Sequence, residues 1–221
     1  MITVSKEDYL KSILEAETEG ETVISARLAH LLKVSPPAVT MALRRLKKDG
    51  LVRVGTTGEV SLTAAGRKIA RKLTLRHHLI ERMLSEMFGM EWWKVHDEAE
   101  RLEHAVSPDF EAKLLAKLGS GSACPHGNLS EMESPASRRR RGLVLLADAA
   151  LDMQYTVSGI YERDRGLLEF LEHRGVRPGA KLRILERNYD QTLTLTTPQG
   201  SVSLGPAASE RVWLSPAPPK R

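Results

Sequence analysis

The chain has little of several features, and each shortage excludes a class of protein. It has one cysteine in 221 residues, which excludes an internal disulfide framework and suits a reducing cytoplasm. It has no apolar run near the roughly 18 residues of a membrane span, and its N-terminus lacks a signal-peptide layout. It also has no HExxH or nucleophile motif. We therefore expect a cytoplasmic protein that is not an enzyme, with no membrane and no small-molecule substrate among its partners.

Charge is distributed unevenly along the chain. Residues 23–76 contain 12 Lys and Arg against 2 Asp and Glu, whereas residues 77–117 contain 5 against 9. The whole chain has a formal net charge of only +5, so the basic excess is concentrated in the first of these blocks. A basic block followed by an acidic block indicates a nucleic-acid surface beside a cation site.

The first third of the sequence has the pattern of a winged helix-turn-helix. A helix is predicted up to about Glu19, and a second, short helix follows Ser25. Ser35 begins a third helix, because serine suits the cap and the two following prolines are tolerated in the first turn. That basic helix stops at Gly50, and the alternating segments LVRV and EVSLT then predict a hairpin.

The remainder predicts a helical region and a small β domain. Helices are expected over residues 64–88, 91–106 and 107–118, and their apolar surface exceeds what a wing domain can cover. A dimer interface is the natural use of that surface. Residues 119–142 have the composition of a linker. Beyond them, a short helix and the alternating segments KLRILER, TLTLTT, SVSLG and RVWLS predict a barrel of the SH3 type.

Histidine and glutamate recur at helical spacing in the acidic block. His77 and Glu81 lie four residues apart, on one helical face. A second face carries His96, Glu100, Glu103 and His104. Imidazole and carboxylate together suit a borderline-to-hard divalent cation. The alternative is a solvated face held by i,i+4 pairs, but an apolar row adjoins the second face and places it near a packing boundary.

The segments KEDYLKSILE, VSPPAVTMALRRLKKDGLV, RHHLIERML, VHDEAERLEH and CPHGN resemble the diphtheria-toxin-repressor family of metal-dependent transcriptional repressors. The resemblance covers nearly the whole chain in order. It implies a mainly α protein with small β parts, in three domains. These are a winged helix-turn-helix at 1–71, a helical dimerisation and metal-binding domain at 72–141, and an SH3-like, FeoA-like domain at 142–221. It also implies a homodimer on palindromic operator DNA that controls metal uptake.

The resemblance implies a primary metal site made of Asp8, His77, Glu100, Glu103 and His104. Iron-type members carry a methionine and a cysteine where this chain has Asp8 and Glu100, so the chain is similar to the manganese-type branch. Mn(II) is therefore the expected metal and Fe(II) the alternative. Lys11 departs from the pattern of some manganese-type members, which have at that place a second carboxylate that holds a paired metal.

CPHGN implies a second metal site, similar to that of streptococcal manganese repressors. Its expected ligands are Glu81, Cys124, His126 and Glu162. Asp164 is an alternative to Glu162, and His96 could serve instead, as in the iron-type ancillary site. A plain linker thiol and a surface histidine remain the simpler interpretations of Cys124 and His96. The other histidines, His30, His78 and His173, are expected to be structural or solvated.

Reading of DNA is expected at the start of the third helix. The side chains that can meet base edges or thymine methyls are those of Ser35, Pro36, Pro37, Thr40 and Met41. The side chains expected to touch phosphates are those of Arg27, Arg44, Arg45 and Lys47. Asp8 is the one expected metal ligand on the DNA-binding domain, so a metal would fix the angle between domains. Without metal, Asp8 and its neighbouring carboxylates are expected to repel. A metal-independent winged-helix regulator is the competing hypothesis.

Overall fold

The structure is a computed structural model that describes the backbone of residues 4–217 and the side chains of residues 6–217. Its N-terminal part contains three helices and a hairpin, in the order α1 Val4–Thr18, α2 Ser25–Leu32, α3 Pro36–Lys48, β1 Val52–Val54 and β2 Val60–Leu62. The two strands pair antiparallel. The predicted winged helix-turn-helix is confirmed.

The sequence of α3 explains both where the helix begins and which face it buries. Ser35 is extended and Pro36 follows as the first helical residue, where a missing N–H costs nothing. Val39, Leu43 and Leu46 recur at helical spacing and are buried in the core of this domain. The remaining face of α3, which includes the basic residues, is left exposed.

The middle of the chain is helical. Helix α4 spans Ala64–Arg82, and one π-helical turn extends it to Met87. Helix α5 covers Val95–Leu102, and α6 covers Pro108–Leu118. The predicted helix over 91–106 is therefore shorter than expected at both ends.

Helix α4 joins two hydrophobic cores. Ala70, in its first half, packs into the core of the winged domain. Leu79 and Ile80, in its second half, pack with Val95 and Leu114 in a separate helical core. A single helix thus carries the DNA-binding part and positions it beside the acidic helix α5.

The segment predicted as a linker is more ordered than its composition indicates. It contains a short helix, α7, over Pro135–Arg140, and the Ser134 side chain caps it. Upstream, the Ile160 N–H donates to the carbonyl of His126, which ties the CPHGN turn to a strand of the C-terminal domain. Gly127 permits this approach, because a Cβ there would lie 2.0 Å from the carbonyl oxygen of Ser158.

The C-terminal part is a six-stranded antiparallel sheet with the order β3-β8-β4-β5-β6-β7. Its elements are β3 Val144–Leu145, a 3-10 turn Leu146–Asp148, β4 Gln154–Ile160, α8 Arg165–Glu172, β5 Lys181–Arg187, β6 Leu193–Thr197, β7 Gly200–Leu204, α9 Pro206–Ser209 and β8 Val212–Pro216. The SH3-like class is confirmed. The alternating segments that the sequence suggested are β5 to β8, whereas β4, which the sequence did not suggest, lies between β5 and β8. Among the described residues, no helix combines the length and apolar character needed to cross a membrane.

Candidate metal centre and nucleic-acid surface

Three predicted ligands meet in a cluster that we call the outer cluster: Asp8, Glu103 and His104. His104 Nε2 lies 2.8 Å from Asp8 Oδ1 and 3.6 Å from Glu103 Oε1. On the other edge of the ring, His104 Nδ1 lies 3.0 Å from Glu7 Oε2. Burial raises the pKa of Asp8, and the imidazole of His104 only partly offsets that effect. The cluster joins α1 to the residues that follow α5.

Glu100 lies at the edge of the outer cluster. It is half exposed and lines the same cavity as Asp8, Glu103 and His104. Its nearest charged partner is His96, whose Nε2 lies 3.6 Å from Glu100 Oε1. The nearby imidazole of His96 is the main cause that lowers the pKa of Glu100 to about 2.

A second group, which we call the buried cluster, consists of His77, Glu81, His96 and Glu162. One ligand atom from each residue lies within 4.8 Å of those from the others. His77 Nε2 is 3.0 Å from Glu81 Oε1 and 3.0 Å from His96 Nδ1. Helices α4 and α5 contribute the first three residues, and the C-terminal domain contributes Glu162.

Further ligand-type side chains adjoin the buried cluster. His126 Nδ1 lies 3.4 Å from Glu81 Oε1, and Cys124 Sγ lies 3.5 Å from Glu162 Oε2. His78 Nε2 lies 3.5 Å from Glu162 Oε1. His78, expected to be structural or solvated, is buried and forms a ligand-type group with Glu81, Cys124 and Glu162.

Asp164 and Glu162 are the two acidic candidates for the second site, and they make different contacts. Asp164 caps α8, since its side chain accepts from the Leu167 N–H, and it also pairs with Arg211. Glu162 is the acidic residue that reaches the cluster. His30 and His173 are exposed and lie outside it.

Lys11, on α1, occupies the junction of the two clusters. Its side chain is only 7% exposed. Its ammonium donates to both Glu103 oxygens, at 3.0 and 3.2 Å, and lies 3.0 Å from His77 Nδ1. Burial lowers the pKa of Lys11, but Glu103, Glu15 and Glu100 outweigh that effect and keep the pKa above its ordinary value. The positive charge of Lys11 therefore lies where the two clusters meet.

The five residues expected to form one primary site are thus divided. Asp8, Glu103 and His104 are in the outer cluster, with Glu100 at its edge. His77 contacts Glu103, with 2.7 Å between Nδ1 and Oε2, but its ring belongs to the buried cluster. The physical reason is Lys11, whose ammonium also approaches His77 Nδ1 and Glu103 Oε2.

Bound protons and nearby cationic side chains compensate the negative charge of the buried carboxylates. Burial alone would raise the pKa of Glu81, but the imidazoles of His77 and His126 hold it well below its usual range. Burial lowers the pKa of His96, and the carboxylates of Glu100 and Glu81 more than compensate, which raises it to about 10. Burial and the nearby Glu81 and Glu162 raise the pKa of the Cys124 thiol well above its usual range. A metal ion bound here must displace protons.

The donor atoms fit a divalent cation. His78 Nδ1, Glu81 Oε2 and His126 Nε2 are buried and have no hydrogen-bond partner within the described part of the chain. Buried polar atoms are rarely left unpaired in native proteins, and an ion is one of the explanations for such atoms. Carboxylates and imidazoles in both clusters are ligands for borderline-to-hard metals, and Cys124 adds a softer donor to the buried cluster alone.

The expected DNA-reading residues form an exposed surface at and along α3: Ser35, Pro36, Pro37, Thr40, Met41, Arg44, Arg45 and Lys47. Arg27, on α2, is exposed too, but it pairs with Glu21 and lines the cleft beside the C-terminal domain. An exposed helix with this charge has the chemistry of a phosphate- and base-contacting surface.

Three protein-family models match successive parts of the chain. One described as "Iron dependent repressor, N-terminal DNA binding domain" matches residues 1–60. A second, "Iron dependent repressor, metal binding and dimerisation domain", matches residues 63–130. A third, "FeoA domain", matches residues 144–216. Together they cover almost all of the described elements.

Similar whole proteins agree with these matches. The diphtheria toxin repressor of Corynebacterium diphtheriae is 33% identical over 197 residues, which cover 85% of this chain and 87% of that protein. The iron-dependent repressor IdeR of Mycobacterium tuberculosis is 39% identical over 122 residues, 55% of this chain and 53% of that protein.

Solved structures resemble the whole fold. A manganese-dependent transcriptional repressor in complex with manganese has a TM-score of 0.83 and 31% identity, and covers 96% of this chain and 100% of that one. The manganese regulator SloR has a TM-score of 0.77 and 27% identity, with 98% and 100% covered. The chain therefore belongs to the diphtheria-toxin-repressor and IdeR family of metal-dependent transcriptional repressors.

Proposed function

We propose that this repressor is activated by Mn(II), with Fe(II) as the second candidate, and that it binds palindromic operator DNA as a homodimer to control metal uptake. The proposed metal dependence rests on one observation. Asp8 lies on α1 of the DNA-binding domain, and its carboxylate meets His104 of the helical domain at 2.8 Å. Any group that holds both side chains fixes the angle of the DNA-binding domain.

The donor chemistry supports Mn(II). The described side chains of the outer cluster offer carboxylate oxygens and one imidazole. Such hard ligands suit Mn(II), whereas sulfur ligands would favour later and softer metals. The similar structure in complex with manganese and the iron-dependent relatives support the same pair of candidates.

We propose that Asp8, Glu100, Glu103 and His104 hold the activating ion, and that His77 contributes from the side of the buried cluster. When bound, a divalent cation supplies the positive charge that these carboxylates need in order to stay close together. Asp8 contributes a ligand from α1, and Glu103 and His104 contribute theirs from the helical domain. An effector acts only through its different affinity for the two arrangements, so a ligand from each domain is what the switch requires.

The structure changes one part of the expected switch. Repulsion between Asp8 and its neighbouring carboxylates predicts that the metal-free domains sample other angles. Lys11, on the same helix as Asp8, already forms a buried ion pair with Glu103. The metal-free protein therefore keeps the Lys11–Glu103 connection between α1 and the helical domain, beside the contacts of His104 with Glu7 and Asp8, and the metal would add a further one.

We propose that the buried cluster is a second cation site. Its proposed ligands are Glu81, His96, Cys124, His126 and Glu162, with His77 and His78 beside them. The unpaired atoms of Glu81 and His126 support this assignment. Because Glu162 comes from the C-terminal domain, a cation here would hold that domain to α4 and α5.

Domain boundaries near residues 71 and 141 fit these roles. The first half of α4 packs with the winged domain, and its second half packs with the helical core. We propose that the exposed face of α3 enters the major groove, with Thr40 and Met41 near bases and Arg44, Arg45 and Lys47 near phosphates. Arg27 must leave Glu21 in order to reach DNA.

The helical domain also exposes large apolar side chains, among them Met87, Phe88, Phe110 and Leu115. Exposed apolar surface of this kind marks an interaction site. We propose that these side chains form the contact between two copies, so that two α3 helices face successive half-sites of a two-fold operator.

The first prediction concerns metal-dependent DNA binding. Duplexes selected from a random library with the Mn(II)-loaded protein should bind about 5- to 150-fold more weakly when a chelator is added, the usual range of such coupling. Binding should also weaken steeply with salt, because several phosphates are neutralised. Fluorescence anisotropy with Mn(II), Fe(II) or chelator, under anaerobic conditions, measures both effects.

Two variants with the same change of charge test whether the metal response depends on Asp8. Asp8→Asn should lose most of the metal response, whereas Glu98→Gln should keep it, because Glu98 pairs with Arg101 at the surface of α5. Equal affinity with and without chelator in the unsubstituted protein would exclude the metal-sensing function.

The second prediction concerns the dimer. Phe88→Glu combined with Phe110→Glu should weaken self-association by at least about 2 kcal/mol, because buried aromatic side chains dominate interface energies. The control is Tyr189→Glu, a fully exposed aromatic residue of the C-terminal domain. Sedimentation equilibrium gives the dissociation constants. A double variant that associates as tightly as the control would place the dimer contact elsewhere.

The third prediction concerns Lys11. Lys11→Met should lower the free energy of unfolding of the metal-free protein by about 3 kcal/mol, the lower end of the range for a broken buried ion pair, since it leaves only the imidazoles of His77 and His104 near the buried Glu103 carboxylate. Lys72→Met removes a lysine that is 58% exposed and 3.7 Å from Glu111, and should cost less than about 1 kcal/mol. Urea unfolding in chelator compares the two. Equal decreases in the free energy of unfolding would show that the buried Lys11–Glu103 pair stabilises the protein no more than an exposed pair.

A further inference from the structure

A charge pair connects the first and last domains directly. Arg163, just after β4, donates from Nη1 to Glu15 Oε2 on α1, at 2.6 Å. The side chains are only 20% and 13% exposed, so water screens this pair less than an ordinary surface pair. The C-terminal domain therefore holds the DNA-binding domain without an intervening helix.

The residue before Arg163 belongs to the buried cluster. Glu162 Oε2 accepts from Asn128 Nδ2 at 2.6 Å, and its other oxygen lies 3.5 Å from His78 Nε2. Glu162 and Arg163 share one peptide unit, which is planar and stiff. A backbone shift that carries the Glu162 carboxylate closer to its cluster would therefore also move the Cα atom of Arg163.

Arg163 reaches the part of α1 that also carries the outer cluster. Asp8, Lys11 and Glu15 lie three and four residues apart, along one side of a helix. Arg163 lines the same cavity as Asp8, Glu103 and His104. It also lines the cleft that contains Glu15 and Glu162. The Arg163 guanidinium thus lies next to two regions. One is the side of α1 that carries Asp8, and the other is the segment that contains Glu162.

We propose that Arg163 is a positioning residue: through its bond to Glu15 it sets the angle of α1, and through Glu162 it makes that angle depend on the state of the buried cluster. The inference rests on the proposed metal-dependent function and assigns a role to the FeoA-like domain within it. The domain acts as a second anchor of α1, beside the connection made by Lys11 and Glu103.

The first test reverses and then restores the charge pair. Arg163→Glu and Glu15→Arg should each weaken operator binding in saturating Mn(II) by at least about fivefold, the lower end of usual coupling between sites. The double variant should recover most of that loss, since the pair is restored with opposite polarity. The control is Arg165→Gln, because Arg165 pairs with Asp97 at 3.1 Å and connects the same domain to α5 instead of α1. That control should bind the operator normally.

The second test asks whether Glu162 acts through Arg163. Glu162→Gln should weaken operator binding in the unsubstituted background and add no further loss in an Arg163→Gln background. Mn(II) titration calorimetry of Arg163→Gln should show unchanged stoichiometry, since no proposed ligand is removed. A merely structural Arg163 would give additive losses, which would overturn the proposal, as would a double charge-reversal variant without recovery. Operator binding by the unsubstituted protein that ignores metal would instead remove the proposed function itself.

Discussion

The fold of the metal-binding region depends on one buried ion pair, that of Lys11 with Glu103. A buried ammonium is costly unless carboxylates surround it, and a buried carboxylate is costly without a cation. Each side chain makes the burial of the other possible, and together they dock α1 against the helical domain. The same ammonium separates the outer cluster from the buried cluster. In the proposed function, a bound cation would strengthen the connection between α1 and the helical domain that the Lys11 ammonium already makes.

Much of the fold could be predicted because its signals are local. Ser35 and the two prolines mark the start of α3, Ser107 caps α6, and alternating segments mark β5 to β8. Strand β4 could not be predicted in the same way, because it is stabilised by pairing with β8, more than fifty residues further on. The short helix α7 was missed because its polar sequence resembles a linker and its order comes from its contacts.

The candidate site was predictable in its residue types but not in its grouping. Helical spacing brought His77 and Glu81 to one face, and the resemblance pointed to Asp8. The partners of Lys11, however, lie 66 and 92 residues away in sequence, so no local pattern places its ammonium between His77 and Glu103. The same holds for His78, whose buried position is visible only once Glu162 arrives from the C-terminal domain. Helical spacing in the sequence shows which side chains share one face of a helix, whereas tertiary packing determines which faces come into contact.

We propose that Lys11 lies at the junction of two cation sites, of which the outer one includes Asp8 of α1. The most direct measurement is an anomalous difference map at the manganese edge, from crystals of the full chain grown with Mn(II). We expect one peak among Asp8, Glu103 and His104 and a separate peak among Glu81, His96, Cys124, His126 and Glu162, with the Lys11 ammonium still bonded to Glu103. A single peak in the buried cluster, with Asp8 left uncoordinated, would exclude this arrangement.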